Sequence, residues 1–222
     1  MPKIAFLACP ATLPGSPTRR PDAFEHDLQI GALRDGLKGR AEVTEIDWRA
    51  PLAELAGFDL AWLGTPWDYT EAKDEFLARL GELEAAGVIV CNPLEVVRWN
   101  ADKLYLKELA QRGAVTIPTL WPERADPADV HAAFDHFATD RVVVKRRVGA
   151  GAIGQDSFTR DNPPPADWRI DQPPLYARID MVRLDDGRLA VIEAELIEPY
   201  LYPEQGPELG PLLAAGMARR LG

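Results

Sequence analysis

Asp180, Glu193 and Glu195 lie in a stretch whose pattern stacks carboxylates across a strand pair. Residues 176–196 form two alternating runs joined at Asp186-Gly187, a strong short hairpin signal. A two-residue turn there sets Asp185 against Arg188, Val182 against Val191, Asp180 against Glu193 and Arg178 against Glu195. One face then holds Arg178, Asp180, Glu193 and Glu195, while Ala177, Ile179, Met181, Ile192, Ala194 and Leu196 make the other face apolar. Slipping the register by one residue would mix acids into the apolar face. Like charges directly across a strand pair cost tenths of a kcal/mol to about 1 kcal/mol, so the arrangement calls for a compensating cation. Clustered hard oxygens suit magnesium or manganese, especially where phosphates complete the ligand shell. The alternative is a solvated face neutralised by Arg178.

Two lysines and a glycine run extend this chemistry. Asn100 is a good N-cap for a helix running to Arg112 with Gly113 as its stop, which puts Lys103 in the first turn, where a cation opposes the helix dipole unless an anion is bound. Lys145 ends the strand pattern of residues 141–145, ahead of Gly149-Ala-Gly151-Ala-Ile-Gly154. Those letters match a dinucleotide fingerprint, but the fingerprint needs a helix to open at the loop, and Gln155-Asp-Ser-Phe-Thr-Arg-Asp-Asn-Pro163 breaks any helix. A hairpin loop fits better. Its backbone N–H groups could cover a phosphate chain, with Lys145 as a point charge beneath; a plain loop is the alternative. An NAD-dependent dehydrogenase is therefore set aside, and neither a Walker-type Gly-Lys-Ser/Thr nor a nucleophile elbow occurs.

Positioning these residues requires a particular order of elements. Strand patterns at residues 3–9, 42–48, 60–64 and 88–92 alternate with helical ones at 23–37 and at 70–86, the latter capped by Thr70. This order predicts an open parallel α/β domain over residues 1–93. Loops 10–20 and 65–70 follow strand ends, where such sheets bind ligands. Asp126-Pro127 opens a helix to about residue 137, residues 141–145 are a strand, and 207–221 form a last helix with Pro207 or Pro211 in its first turn. The fold class is thus α/β followed by α+β, with a second domain over 94–222 whose lysine and glycine-loop part is 94–160 and whose acidic hairpin part is 175–222.

Bulk properties narrow the partners. A net charge of -10 argues against nucleic acid, which needs a basic surface. No apolar run reaches membrane-spanning length and the N-terminus enters a strand pattern directly, so a cytoplasmic protein is expected. The two cysteines, Cys9 and Cys91, end apolar runs, as reduced buried thiols do. His131 and His136 would point about 140° apart on a helix and His26 is remote, which disfavours a histidine metal site.

In order, Asn100-Ala-Asp-Lys103, Val144-Lys145 with its glycine loop, Arg178-Ile-Asp180 and Glu193-Ala-Glu195-Leu-Ile-Glu-Pro199 resemble the ATP-grasp superfamily, close to glutathione synthetase and D-alanine-D-alanine ligase. The resemblance extends to Thr65-Pro-Trp67-Asp-Tyr69 and Arg98-Trp99-Asn100. It implies a pre-ATP-grasp domain followed by an ATP-grasp domain, Lys103 and Lys145 on the nucleotide phosphates, and Gly149, Gly151 and Gly154 closing over them. Asp180, Glu193 and Glu195, the last in place of asparagine, would hold magnesium, and Arg178 would steady the acyl phosphate. The implied activity joins a small-molecule carboxylate to an amine or thiol with ATP and Mg2+ (or Mn2+), and a homodimer is compatible with it. Three departures stand out: Arg146 replaces the usual proline, Gly64 stands where arginine is expected, and residues 155–176 are too few to hold the adenine hinge. Either a segment is missing near 172–175 or the hinge is lost, which would leave a non-catalytic nucleotide-binding protein. The retained lysines, glycine loop and acids favour the missing segment.

Overall fold

The computed structural model describes residues 1–122, 125–145, 147–148, 155–164, 180–184, 187–193 and 197–221. Its chain forms two compact units, Met1–Trp99 with Glu195–Gly222, and Asn100–Ala194. The C-terminal residues thus belong to the first unit, whereas a linear division at residue 93 puts them with the second.

In the first unit, β1 (Lys3–Ala8), β2 (Glu42–Asp47), β3 (Leu60–Thr65) and β4 (Ile89–Cys91) form a parallel sheet in the order β2-β1-β3-β4. The central strands Lys-Ile-Ala-Phe-Leu-Ala and Leu-Ala-Trp-Leu-Gly-Thr are nearly continuous apolar runs because helices cover both faces, while edge strand β2 alternates. Helices α1 (Phe24–Gly36), α2 (Leu52–Leu55) and α3 (Lys73–Ala85) fall between the strands. Thr70 does not cap α3: it lies in a 3-10 turn, Trp67–Glu71, and Ala72 holds the N-cap position. On one side of the sheet Ile4, Phe6 and Ala8 pack with Ile30, Leu33 and Leu37 and with Ala214 and Met217 of the last helix, α7 (Leu209–Leu221). That packing explains why the terminal helix joins the first unit: its apolar stripe has a sheet-and-helix surface to cover.

Residues around the unit boundary depart from the expected single helix. α4 (Leu94–Asn100) ends at Asn100, and α5 (Tyr105–Gln111) starts with Leu104 at its N-cap position. Asn100 is therefore the end of one helix rather than the cap of the next, and Lys103 lies in the connection. Gly113 follows the end of α5 with φ +95°, as expected from its freedom to adopt a left-handed backbone.

In the second unit α6 (Pro127–His136) packs Val130 and Phe134 against Phe158 and the half-buried Val142 and Val144 of the hairpin β5 (Arg141–Lys145) and β6 (Gln155–Thr159). The Asp126 carboxylate accepts from the N–H groups of Ala128 at 2.8 Å and Asp129 at 3.1 Å, and the Asp129 carboxylate accepts in return from the Asp126 N–H at 3.0 Å. Asp126→Ala is expected to lower stability by about 1 kcal/mol, and Asp126→Ser to restore most of it, in equilibrium urea unfolding.

Candidate functional site

The acidic hairpin comprises β7 (Asp180–Arg183) and β8 (Leu189–Glu193). Leu184 and Arg188 close a connection of three residues, with the Leu184 N–H donating to the Arg188 carbonyl at 2.8 Å and the Gly187 N–H donating to the Leu184 carbonyl at 2.9 Å. Gly187 has φ +84°, the left-handed position that such connections require. The expected two-residue turn is therefore corrected, and Val182 faces Ala190 rather than Val191. A bulge then intervenes between the Met181–Val191 and Asp180–Glu193 pairs, with Ile192 as the extra residue. It cancels the one-residue offset of the turn. Asp180 ends up across from Glu193, as the sequence predicts. Arg178 and Glu195 lie outside the described residues.

On the far side of β8, the Val191 N–H donates to the Val115 carbonyl at 2.8 Å and the Ile117 N–H donates to the Val191 carbonyl at 3.3 Å. Arg112, Gly113 and Ala114 separate α5 from residues 115–117, so the segment that carries Lys103 runs on into an isolated bridge beside the acidic hairpin. Lys103 itself is only 6% exposed. Its N–H donates to the Arg147 carbonyl at 3.1 Å, and the Arg147 Nε donates to Asp102 Oδ1 at 2.9 Å, with a second contact from Nη2 to Oδ2 completing a bidentate pair. The Asp102 hydrogen bond raises the Arg147 pKa, keeping the guanidinium charged. Arg147 is two residues beyond Lys145, so this clasp brings the backbones of both predicted phosphate-binding lysines to one place. The clasp was not foreseen, because Asp102 and Arg147 are far apart in sequence and neither belongs to a recognisable spacing. Lys145 faces Gln155 in an antiparallel ladder, so a strand rather than a helix runs from Gln155, against the strand-to-helix order of a dinucleotide fingerprint. Gly149, Gly151 and Gly154 lie outside the described residues, as does most of the interval 155–176, including 172–175.

The first unit offers a second feature. Strand order reverses between β1 and β3, and ligands of open α/β sheets bind outside the carboxyl ends of the strands at that reversal. The loops that follow these strands are joined there: the Thr12 hydroxyl lies 3.1 Å from the carbonyls of both Cys9 and Thr65, and the Thr65 hydroxyl donates to Thr12 Oγ1 at 3.0 Å. Arg20 stacks 5.1 Å from the centre of the Trp67 ring. Asp68 accepts from Trp48 Nε1 at 2.8 Å and pairs with Arg49, anchoring the Trp67 turn to the end of β2. Burial, followed by the nearby Asp68 charge, pushes the Cys9 thiol up, so it is a packing group rather than a nucleophile. Gly64 is explained by contact: a Cβ there would lie 2.1 Å from the Phe6 ring, which fills the space a side chain would take.

Several solved structures match the fold over nearly its full length. The crystal structure of D-cycloserine synthetase DcsG superposes with TM-score 0.76 at 18% identity, over 99% of this chain and 100% of that one. The ATP-grasp ligase PsnB, solved with a minimal precursor, Mg and ADP, gives TM-score 0.59 at 14% identity over 98% of each chain. The chain has the ATP-grasp fold. Residues 4–92 also match the model of the D-cycloserine synthetase DcsG N-terminal domain. The cycloserine biosynthesis protein DcsG of Streptomyces lavendulae is 33% identical over 73 residues, 33% of this chain and 24% of that protein, so the sequence match spans about a quarter of the relative. The family-model match lies within the first unit, while the structural match covers both. Among the described residues no helix is long and apolar enough to cross a membrane.

Proposed function

We propose that this protein is an ATP- and magnesium-dependent ligase that activates a carboxylate as its acyl phosphate and passes it to an amine or thiol. The observation that carries the reading is the bulge-corrected pairing of Asp180 with Glu193 in the same unit as the Lys103–Arg147 clasp, on a backbone that has the ATP-grasp fold. Two carboxylate residues across one strand pair supply hard oxygen donors, which fits magnesium. Bound there, the ion would neutralise phosphate charge. Lys103 and Lys145 would bind the nucleotide phosphates under a loop that includes Gly149, Gly151 and Gly154. Asp180, Glu193 and Glu195 would hold the metal, and Arg178 would hold the acyl phosphate. Such a site works by positioning and charge neutralisation and needs no side-chain nucleophile.

The carboxylate would be met by the loops after β1 and β3 and by residues 198–202. The similarity of the first unit to a cycloserine synthetase supports a small amino-acid-like substrate. Calorimetric titration of the whole chain with ADP should show micromolar binding that depends on magnesium, and a screen of amino-acid derivatives should release phosphate from ATP. Failure to bind ADP with magnesium present would defeat this reading.

A further inference from the structure

His26 is fully buried on α1 and belongs to none of the groups assigned above. Its Nδ1 lies 2.7 Å from Thr65 Oγ1 and its Nε2 lies 2.6 Å from Glu45 Oε2. Arg34, also on α1, donates to the other oxygen of the Glu45 carboxylate at 3.1 Å, and the ring stands edge-on to Phe6 of β1 with centroids 5.1 Å apart. One side chain therefore ties α1 to β2 and to the end of β3.

At the far end of the His26–Thr65 contact the Thr65 hydroxyl donates to Thr12 Oγ1 at 3.0 Å, and the Thr12 hydroxyl lies 3.1 Å from the Cys9 and Thr65 carbonyls. With its proton directed at Thr12, Thr65 Oγ1 faces His26 Nδ1 as an acceptor. On the other side of the ring Nε2 meets the Glu45 carboxyl; burial works to raise the Glu45 pKa, but the hydrogen bonds from His26 and Arg34 outweigh it and hold the carboxyl below its ordinary range.

We propose that His26 is a positioning residue, held between Glu45 and Thr65, which orients the Thr65–Thr12 hydroxyl couple and so locks the loops after β1 and β3 together. Arg34 holds the other oxygen of the Glu45 carboxylate and so fixes the partner that the ring meets. That these loops serve a carboxylate substrate rests on the ligase reading; the lock does not.

The test uses the whole chain labelled with 15N-histidine. His26 Nδ1 should carry an attached proton, the one donated to Thr65. A bare Nδ1 would overturn the proposal. Thr65→Val keeps the volume but removes the acceptor and the proton that orients Thr12. Hydrogen exchange at the Arg20 and Tyr69 amides, which close turns in the two loops, should then quicken about tenfold, the equivalent of one lost hydrogen bond. Thr65→Ser should exchange like the parent. Unchanged exchange in Thr65→Val, or fast exchange in Thr65→Ser, would refute the lock. ADP and magnesium affinity should be equal in parent and Thr65→Val, because the lysines and acids lie in the other unit. A parent chain that fails to bind ADP counts against the ligase reading alone.

Discussion

Asp180→Asn is expected to lower ATP-dependent turnover by about 10²- to 10³-fold or more, the scale of losing one preorganised electrostatic partner of a transition state, while leaving the thermal midpoint unchanged or slightly raised. The two halves of that expectation have separate causes. Asp180 is paired with Glu193 through the backbone ladder, which the substitution leaves in place. Like charges at paired strand positions generally repel by tenths of a kcal/mol to about 1 kcal/mol, so removing one is expected to cost the metal-free fold nothing. With magnesium and nucleotide a cost appears, because asparagine supplies a neutral oxygen in place of a carboxylate. Glu193→Gln should behave alike. The measurements are ADP release, magnesium dependence and a melting curve on each variant. Full turnover in both would remove the metal-binding role from the hairpin.

The second large effect is on stability. The end of α1 and the start of α7 touch through their backbones: a Cβ on Gly36 would lie 2.3 Å from the Gly210 carbonyl oxygen, and one on Gly210 would lie 2.4 Å from the Ala32 carbonyl oxygen. Neither atom belongs to a side chain that can turn away. Gly36→Ala should therefore push α7 off α1, costing about 3 kcal/mol and lowering the melting midpoint by about 6–12 °C. Gly31→Ala, on the same helix with nothing within 4 Å of the new methyl, should instead stabilise by up to about 1 kcal/mol. Opposite signs from two identical substitutions on one helix would establish that the contact, rather than helix propensity, dominates at Gly36. A neutral Gly36→Ala would mean that α7 does not sit as closely as described.

The position of α7 bears on the proposed chemistry as well. The same chain segment that leaves the acidic hairpin returns to the first unit and covers the sheet face with Ala214 and Met217. Weakening that return loosens the first unit without touching Lys103, Lys145, Asp180 or Glu193. Gly36→Ala should for that reason retain ADP binding at temperatures well below its midpoint.

Much of this architecture was legible in local pattern. The four parallel strands announced themselves as apolar runs spaced by helical stretches, Asp126-Pro127 carried its own cap chemistry, and the polar stretch after Gly154 was enough to reject a dinucleotide loop. The pairing of Asp180 with Glu193 was also legible, although for an incomplete reason. Alternation specifies which residues share a face, and it predicted the Asp180–Glu193 pair; the turn and the bulge each depart from it by one residue and cancel. Helix ends around Asn100 and Thr70 were misplaced, because side-chain capping preference is a small energy that packing around Lys103 and Trp67 overrides.

What the sequence determined by itself is the set of interactions between near neighbours: strand and helix periods, the Asp126 cap, the left-handed glycines at Gly113 and Gly187, and the order of lysine, glycine loop and acids. Only the tertiary structure decided that Asp102 clasps Arg147, that Phe6 occupies the space beside Gly64, that Gly36 and Gly210 meet, and that His26 joins Glu45 to Thr65. Each of these contacts spans about twenty residues or more between partners of ordinary type. Periodicity and spacing encode the local geometry of a chain, whereas such pairings exist only once the sheet order and the helix packing have closed the distance.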